Sequence, residues 1–217
     1  MITDERIAAY IDSLEKEPDA LLRTLEKEAL EDMIPIIKKP TQSLLRFLIR
    51  NNKPVKILEV GAAVGYSSIF MSYYMEETAH ITTIEKMKER AETARTNIER
   101  AGKEAQITLI EGDASEVLRH LKENKESYDM IFMDAAKGQY FHFLPDVCAL
   151  LKTGGLLVSD NVLQDGDIVQ SRYAVTRRDR TIHSRMREYL FTLTHSEEFD
   201  TVVLPIGDGV TLSTKLK

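Results

Sequence analysis

Hydrophobic positions along the chain change their period near residue 53. Before that point they recur every three or four residues. Ile7, Tyr10, Ile11 and Leu14 share one helical face, and Leu21, Leu22, Leu25 and Ala29 share another, opened by Pro18. These predict two helices within residues 4–31. Met33 to Pro40 holds two prolines and two lysines and reads as a loop. Thr41 is placed to cap a third helix, with Leu44, Leu45, Leu48 and Ile49 on its inner face and Asn51 and Asn52 at its end. From Val55 onward, short apolar runs alternate with amphipathic stretches. The predicted strands are Val55–Glu59, His80–Glu85, Gln106–Glu111, Tyr128–Met133 and Gly155–Asp160. The predicted helices are Tyr66–Glu76, Met87–Arg100, Ala114–Glu123 and Gln139–Leu151. Such repeats imply a parallel sheet with right-handed crossovers, an α/β fold wound on both faces. After Asp160 the rhythm breaks. A polar loop runs to about Asp179, then a helix to about His195, and two strands follow, Thr201–Pro205 and Val210–Lys215. The joint Gly207-Asp208-Gly209 is short enough for an antiparallel hairpin. Residues 1–52 thus form an N-terminal helical extension or lid, and residues 53–217 the main domain.

Composition narrows the class. A chain of 217 residues with 43% apolar and 29% charged positions can bury a full core and is not disordered. A net charge of −6 argues against wholesale nucleic-acid binding, though not against a local basic patch. The one cysteine, Cys148, lies in the apolar run Val147 to Leu151, so it reads as a core thiol. The start, Met1-Ile2-Thr3-Asp4-Glu5, has no basic or apolar leader, and no apolar run reaches membrane-spanning length. A soluble cytoplasmic protein without membrane contact is expected.

Chemistry concentrates after the first predicted strand. Val55 to Glu59 feeds a turn through Gly61 and Gly65 and then a helix from Tyr66. A strand, a glycine turn and a helix form the nucleotide corner of doubly wound sheets, with free N–H groups at the helix start. The spacing Glu59-x-Gly61-x-x-x-Gly65 lacks the first glycine of the dinucleotide fingerprint. The carboxylate of Glu59 repels a pyrophosphate and attracts an ammonium, which favours S-adenosylmethionine (SAM) over NAD. Most predicted strands also end in an acid: Glu59, Glu85, Glu111, Asp134 and Asp160, with Asp113 just past the third. Ligands of open α/β sheets bind at those carboxyl ends. Glu85, 24 residues after Gly61, stands where ribose hydroxyls are received. Asp113 can cap a helix, meet an adenine amino group, or do both. Asp134, Asp160 and Asn161 make an all-oxygen set suited to Mg²⁺ or Ca²⁺, although Asp160-Asn161 is also a common turn or cap pair.

At these residues the sequence resembles the class I SAM-dependent O-methyltransferases, in particular the cation-dependent catechol and caffeoyl-CoA family. The matching pieces are Glu59 to Ser67, Glu85, Gly112-Asp113-Ala114, Asp134-Ala135-Ala136-Lys137-x-x-Tyr140 and Ser159-Asp160-Asn161-Val162, in family order over about residues 55–162. The resemblance implies a Rossmann-like, mostly parallel seven-stranded sheet. It also implies that Glu59, Gly61 and Ser67 hold the methionine end of SAM, Glu85 the ribose, and Asp113 with the Ala114 backbone the adenine. Asp134 belongs to both cofactor and metal contacts. Asp134, Asp160 and Asn161 would ligate Mg²⁺, and Lys137 would be the general base. Thr41-Gln42 departs from the family's glycine before the glutamine.

Within that family the likeness extends to bacterial enzymes that methylate 5-hydroxyuridine at the tRNA wobble position, giving 5-methoxyuridine. Its vicinal oxygen pair can chelate a cation as a catechol does. Arg172, Arg177, Arg178, Arg180, Arg185 and Arg187 face a single acid, Asp179, giving +5 over residues 172–187 against −11 (−6 minus +5) for the remainder. Such a patch suits the tRNA anticodon region or a solvated helix. The expected activity is therefore Mg²⁺-dependent methyl transfer to tRNA 5-hydroxyuridine, with a small catechol-like phenol as the alternative substrate. A non-catalytic SAM- or nucleotide-binding module is the alternative of another class. The resemblance and the apolar N-terminal helices together point to a homodimer.

Overall fold

The computed structural model describes residues 4–171, 173–177 and 179–217. Three helices open the chain: α1 (Glu5–Ser13), α2 (Ala20–Glu31) and α3 (Lys39–Asn52). Helix α2 starts two residues after Pro18 because the Asp19 carboxylate accepts from Leu21 N at 2.8 Å. Helix α3 starts earlier than expected. Pro40 sits in its first turn, where a missing N–H costs nothing, and Thr41 is buried inside the helix rather than capping it.

The alternating region gives β1 (Lys56–Val60), α4 (Tyr66–Ser72), β2 (His80–Glu85), α5 (Lys88–Arg100), β3 (Ile107–Glu111), α6 (Ala114–Glu123), β4 (Tyr128–Met133), α7 (Tyr140–Leu150) and β5 (Leu151–Ser159). Then come α8 (Arg180–His195), β6 (Phe199–Leu204) and β7 (Val210–Lys215). The seven strands form one sheet in the order β3-β2-β1-β4-β5-β7-β6. β1 to β5 are parallel, and β7 runs antiparallel to both β5 and β6. This is the doubly wound, mostly parallel sheet with a C-terminal hairpin that the pattern predicts.

Two boundaries move for identifiable reasons. Helix α4 ends at Ser72, before Glu76. The Ser68 and Ser72 hydroxyls donate to carbonyls three residues back, and Tyr73 N and Tyr74 N bond to Phe70 O and Met71 O, which tightens the last turn. Strand β5 begins at Leu151, before Gly155, and its register against β4 shifts between Tyr128 and Met130. A side chain at Gly155 would press on Leu151 Cδ1 and Lys152 O at 2.8 Å, so the irregularity needs glycine there. Two short 3₁₀ turns, Lys137–Gln139 and Gln164–Val169, were not foreseen.

Alternate residues of each strand feed opposite cores. Leu58, Ile131, Met133 and Leu157 pack with Leu118, Tyr140, Val147, Met186 and Tyr189 from α6, α7 and α8. Ile57, Ile81, Met130, Phe132 and Val158 pack with Ile69 and Phe70 of α4, and with Leu22, Leu25, Leu45 and Ile49 of α2 and α3. Helices α2 and α3 therefore share a core with the sheet. Helix α1 does not: Ile7, Tyr10, Ile11 and Leu14 are exposed, and a Glu15–Arg46 ion pair at 2.7 Å ties its end to α3. Cys148 is half-buried beside the first core, and burial pushes its thiol up to about 11. Among the described residues no helix is long and apolar enough to cross a membrane.

Candidate active site at the carboxyl ends of the strands

The loops after β1, β2, β3, β4 and β5 enclose a cleft of about 710 Å³. Its walls include Gly61, Ser67, Glu85, Asp113, Ala114, Asp134, Lys137, Asp160 and Asn161, so nine of the ten residues singled out in the sequence line one cavity. The tenth, Glu59, lies behind that wall.

Glu59 is fully buried. Its Oε2 accepts from Thr83 Oγ1 at 2.5 Å and its Oε1 has no partner. Burial raises its carboxyl to about 7, opposed by the hydroxyls of Ser67 and Thr83. Gly61 is also required by the backbone crossing at this point. Its φ is +104°, and a Cβ there would stand 2.1 Å from Asp134 O. The glycine lets the β1 turn cross the β4 end against the Asp134 backbone. Glu85 accepts from Ala63 N and Met87 N, both at 2.8 Å, which orients its carboxylate beside the cleft. Asp113 caps α6 through Ser115 N at 2.9 Å and pairs with Lys86 at 2.8 Å, and Lys86 holds its carboxyl below the ordinary value. Glu111, by contrast, is exposed and paired with Arg95, so that strand-end acid stays out of the cleft.

Asp134, Asp160 and Asn161 meet between β4 and β5. Asn161 Nδ2 donates to Asp134 Oδ1 at 2.7 Å, and Asn161 N donates to Asp160 Oδ1 at 2.8 Å. Asn161 holds a left-handed φ of 63°, a conformation asparagine accepts readily. Burial raises Asp134 to about 6, while Asn161 and the Lys137 ammonium pull it down. Burial and the neighbouring Asp134 raise Asp160 to about 7. Two desolvated carboxylates and an amide that still has its oxygen to give form an oxygen-rich pocket short of positive charge, which suits a hard divalent cation. Among the described residues no three His, Cys, Asp or Glu side chains converge as a metal set. The candidate set is therefore two carboxylates and an amide.

Two contributors were missed in the sequence, and a third was quoted there without a role. Asp208 lines the same cleft, and its charge raises both Asp134 and Asp160. Because β7 pairs antiparallel with β5, with Thr211 opposite Ser159, the β6–β7 connection returns to the ligand end of the sheet. Lys38 reaches Asp208 at 2.5 Å from the loop before α3. A polar residue between two glycines was the available signal for Asp208; Lys38 had none. Tyr140 is the third. Its buried hydroxyl lies 3.1 Å from Met133 O, 3.0 Å from Asp160 O and 3.3 Å from Ala135 N, bridging the two acidic strand ends. Of the arginine stretch, Arg172 and Arg178 lie outside the described residues. Arg185 and Arg187 donate inward to Gly138 O and Ile168 O, both at 3.1 Å. Arg177 is exposed, and Arg180 lies over the exposed Tyr173 ring at 5.6 Å.

The raised carboxyls give a signed pH dependence. Glu59, Asp134 and Asp160 bind protons more readily folded than unfolded, so each adds stability below its ordinary value and loses it as pH rises through its folded one. With cations removed, the melting temperature should fall between about pH 4 and pH 7. Added Mg²⁺ should restore it at the upper end. A flat profile in a differential scanning series would show that these carboxyls do not carry the strain assigned to them.

Comparison with known proteins gives the family. The O-methyltransferase family model matches residues 12–216. A catechol O-methyltransferase of Niastella koreensis is 34% identical over 168 residues, 76% of each chain. A caffeoyl-CoA O-methyltransferase of Citrus natsudaidai is 29% identical over 205 residues, 88% of each. A Staphylococcus aureus structure, provisionally assigned as a caffeoyl-CoA O-methyltransferase, superposes with a TM-score of 0.88 at 32% identity, covering 98% of this chain and 100% of its own.

Proposed function

The chain belongs to the O-methyltransferase family that includes catechol and caffeoyl-CoA enzymes, and from that premise we propose that it transfers the methyl group of SAM to a hydroxyl flanked by a second oxygen, with Mg²⁺ in the site. The observation that carries this reading is the junction of Asp134, Asp160 and Asn161 with Lys137 in one cleft.

The residues fit the roles. Glu85, Asp113 and the Ala114 backbone stand where a nucleoside would lie. The unpartnered Glu59 oxygen under the glycine turn leaves negative charge for a cationic methionine end. Asp134, Asp160 and Asn161 would hold Mg²⁺, which would lower the pKa of a substrate hydroxyl. Lys137, as the neutral amine, takes the hydroxyl proton while the substrate oxygen bonds to the methyl carbon and the carbon–sulfur bond breaks, releasing S-adenosylhomocysteine. Asp208, paired with Lys38, closes the side of the cleft facing the hairpin.

A small catechol-like phenol is the substrate class this favours first, since half of the described arginines in the 172–187 stretch are spent on holding backbone carbonyls. A second reading, tRNA 5-hydroxyuridine, draws on exposed Arg177 and on the Tyr173–Arg180 pair, which offer a phosphate contact and a stacking face beyond Asn161. The test is transfer of labelled methyl from SAM to 3,4-dihydroxybenzoate, and to tRNA from cells lacking this protein, with Mg²⁺ and with EDTA. Label entering the phenol and vanishing with EDTA is the expected result. Label appearing in tRNA alone, as 5-methoxyuridine, moves the assignment to the second reading. Transfer undiminished by EDTA overturns the metal role.

A further inference from the structure

Lys137 sits on a poorly anchored piece of chain. The turn Lys137–Gln139 is a three-residue 3₁₀ segment without a side-chain cap, closed by one internal bond, Gln139 N to Ala136 O at 2.8 Å. The chain before it is fixed: Asp134 N donates to Val60 O at 3.0 Å and Ala135 N meets the Tyr140 hydroxyl. The chain after it is fixed by α7. The turn itself receives its tertiary hydrogen bond, among the described residues, from one side chain. Arg185 Nη1 donates to Gly138 O at 3.1 Å. Ile182, three residues earlier on the same face of α8, lies beside Gly138, within 3.6 Å of where a Cβ would stand.

We propose that Arg185 is a positioning residue for the methyl transfer: by holding the Gly138 carbonyl from α8, it sets the direction in which Lys137 presents its amine to the metal-side carboxylates. This rests on the reading of Lys137 as the base. A lysine stem has four rotatable bonds, so its Nζ is placed only as well as its backbone is. Proton transfer requires hydrogen-bond reach between base and hydroxyl, and a displacement near 1 Å can cost about 10²-fold in rate. Arg185 is suited to the task. Its guanidinium is partly buried between α8 and the turn, and its planar fork is pre-organised for a carbonyl acceptor. It also links α8, at the far side of the 161–179 segment, to the base. A segment that begins at the metal-site residue Asn161 is thus tied at its other end to the turn carrying Lys137.

The experiment is a double-mutant cycle with Arg185→Met, Lys137→Met and the pair, assayed with SAM, Mg²⁺ and 3,4-dihydroxybenzoate, or with tRNA if that proves the acceptor. Arg185→Met should lower kcat roughly 10-fold or more, with KM for SAM and the melting temperature little changed. Lys137→Met should lose about 10²-fold or more, and the pair should be no slower than Lys137→Met alone. Arg185→Lys, which keeps one charged donor nitrogen, should recover part of the loss. A readout independent of turnover is labelling of Lys137 in the protein without cofactor by an amine-reactive reagent. It should quicken at least about twofold in Arg185→Met, as expected for a side chain released from a half-buried turn, with Lys86 labelling unchanged. Full activity in Lys137→Met would remove the base reading itself. A normal kcat and normal labelling in Arg185→Met, with Lys137→Met inactive, would overturn the positioning role and leave the base in place. A pair slower than Lys137→Met by the full Arg185 factor would show that Arg185 acts by another route, and also overturns it.

Discussion

Asp160→Ala should fold, bind SAM about as well as the parent, and transfer methyl groups about 10³-fold more slowly or worse. The magnitude follows from the several kcal/mol that a Lewis-acid centre contributes, at about 1.4 kcal/mol per factor of ten. The fold should survive because the backbone of Asp160 holds the strand end. Asp160 N donates to Met133 O at 3.0 Å, and Asp160 O lies 3.0 Å from the Tyr140 hydroxyl. Neither bond uses the side chain. What is lost is one carboxylate, 3% exposed, that repels its neighbour Asp134 and accepts a bond from Asn161 N at 2.8 Å. In the absence of cation its removal relieves a desolvation cost, so the variant should melt no lower than the parent in EDTA. Calorimetric titration with SAM, turnover with Mg²⁺ and thermal melts with and without EDTA separate these effects. Parent-like turnover would end the metal reading. Joint loss of SAM binding and turnover would mean that Asp160 serves the cofactor instead.

Gly61→Ala should be among the most damaging single-methyl substitutions available in this chain. The new Cβ would stand 2.1 Å from Asp134 O and 2.9 Å from Asp134 C, and both are backbone atoms that no side-chain rotation can clear. The φ of +104° adds conformational strain for any L side chain. A loss of about 3 kcal/mol or more in urea unfolding is expected. Gly65→Ala is the comparison. Its φ is also positive, but its Cβ would meet Ala94 Cβ at 3.3 Å, a contact that a small shift of helix α5 relieves. A loss of about 1–2 kcal/mol is expected there. If Gly61→Ala folds with parent stability, the β1 turn must shift, and Asp134 would then be displaced. Weakened Mg²⁺ protection against thermal melting would reveal that.

Much of this architecture is legible in the residues because buried parallel strands leave little choice. His80–Glu85 and Tyr128–Met133 are mostly apolar or β-branched, interrupted only by His80, Glu85 and Asp129, and both strands have the limits expected of them. The site residues were legible for a related reason. Acids at the end of a buried strand have few structural uses, so Glu85, Asp134 and Asp160 stand out. Glu111 misleads because β3 is an edge strand, where an acid can turn to solvent and meet Arg95. What stayed hidden depends on partners distant in sequence. Thr41 looks like a cap until Pro40 takes over the helix start. Lys38 acquires its partner 170 residues later. The arginine stretch reads as one basic patch, yet Arg185 and Arg187 turn inward to carbonyls that no periodicity reveals.

The placement of β7 between β5 and β6 has a consequence for biosynthesis. By the time Asn161 leaves the ribosome, the five parallel strands and most of the acidic pocket have been made. The outer edge of β5 still has nothing to pair with, because its residues Leu156 to Ser159 bond to Thr211 to Thr214. A nascent chain paused anywhere in the intervening stretch carries a bare strand edge beside a nearly finished ligand pocket. Such an edge is a template for pairing with another copy. Slow codons or pausing before residue 210 should therefore send this protein toward aggregates, and a trailing β6–β7 hairpin supplied in trans should suppress them.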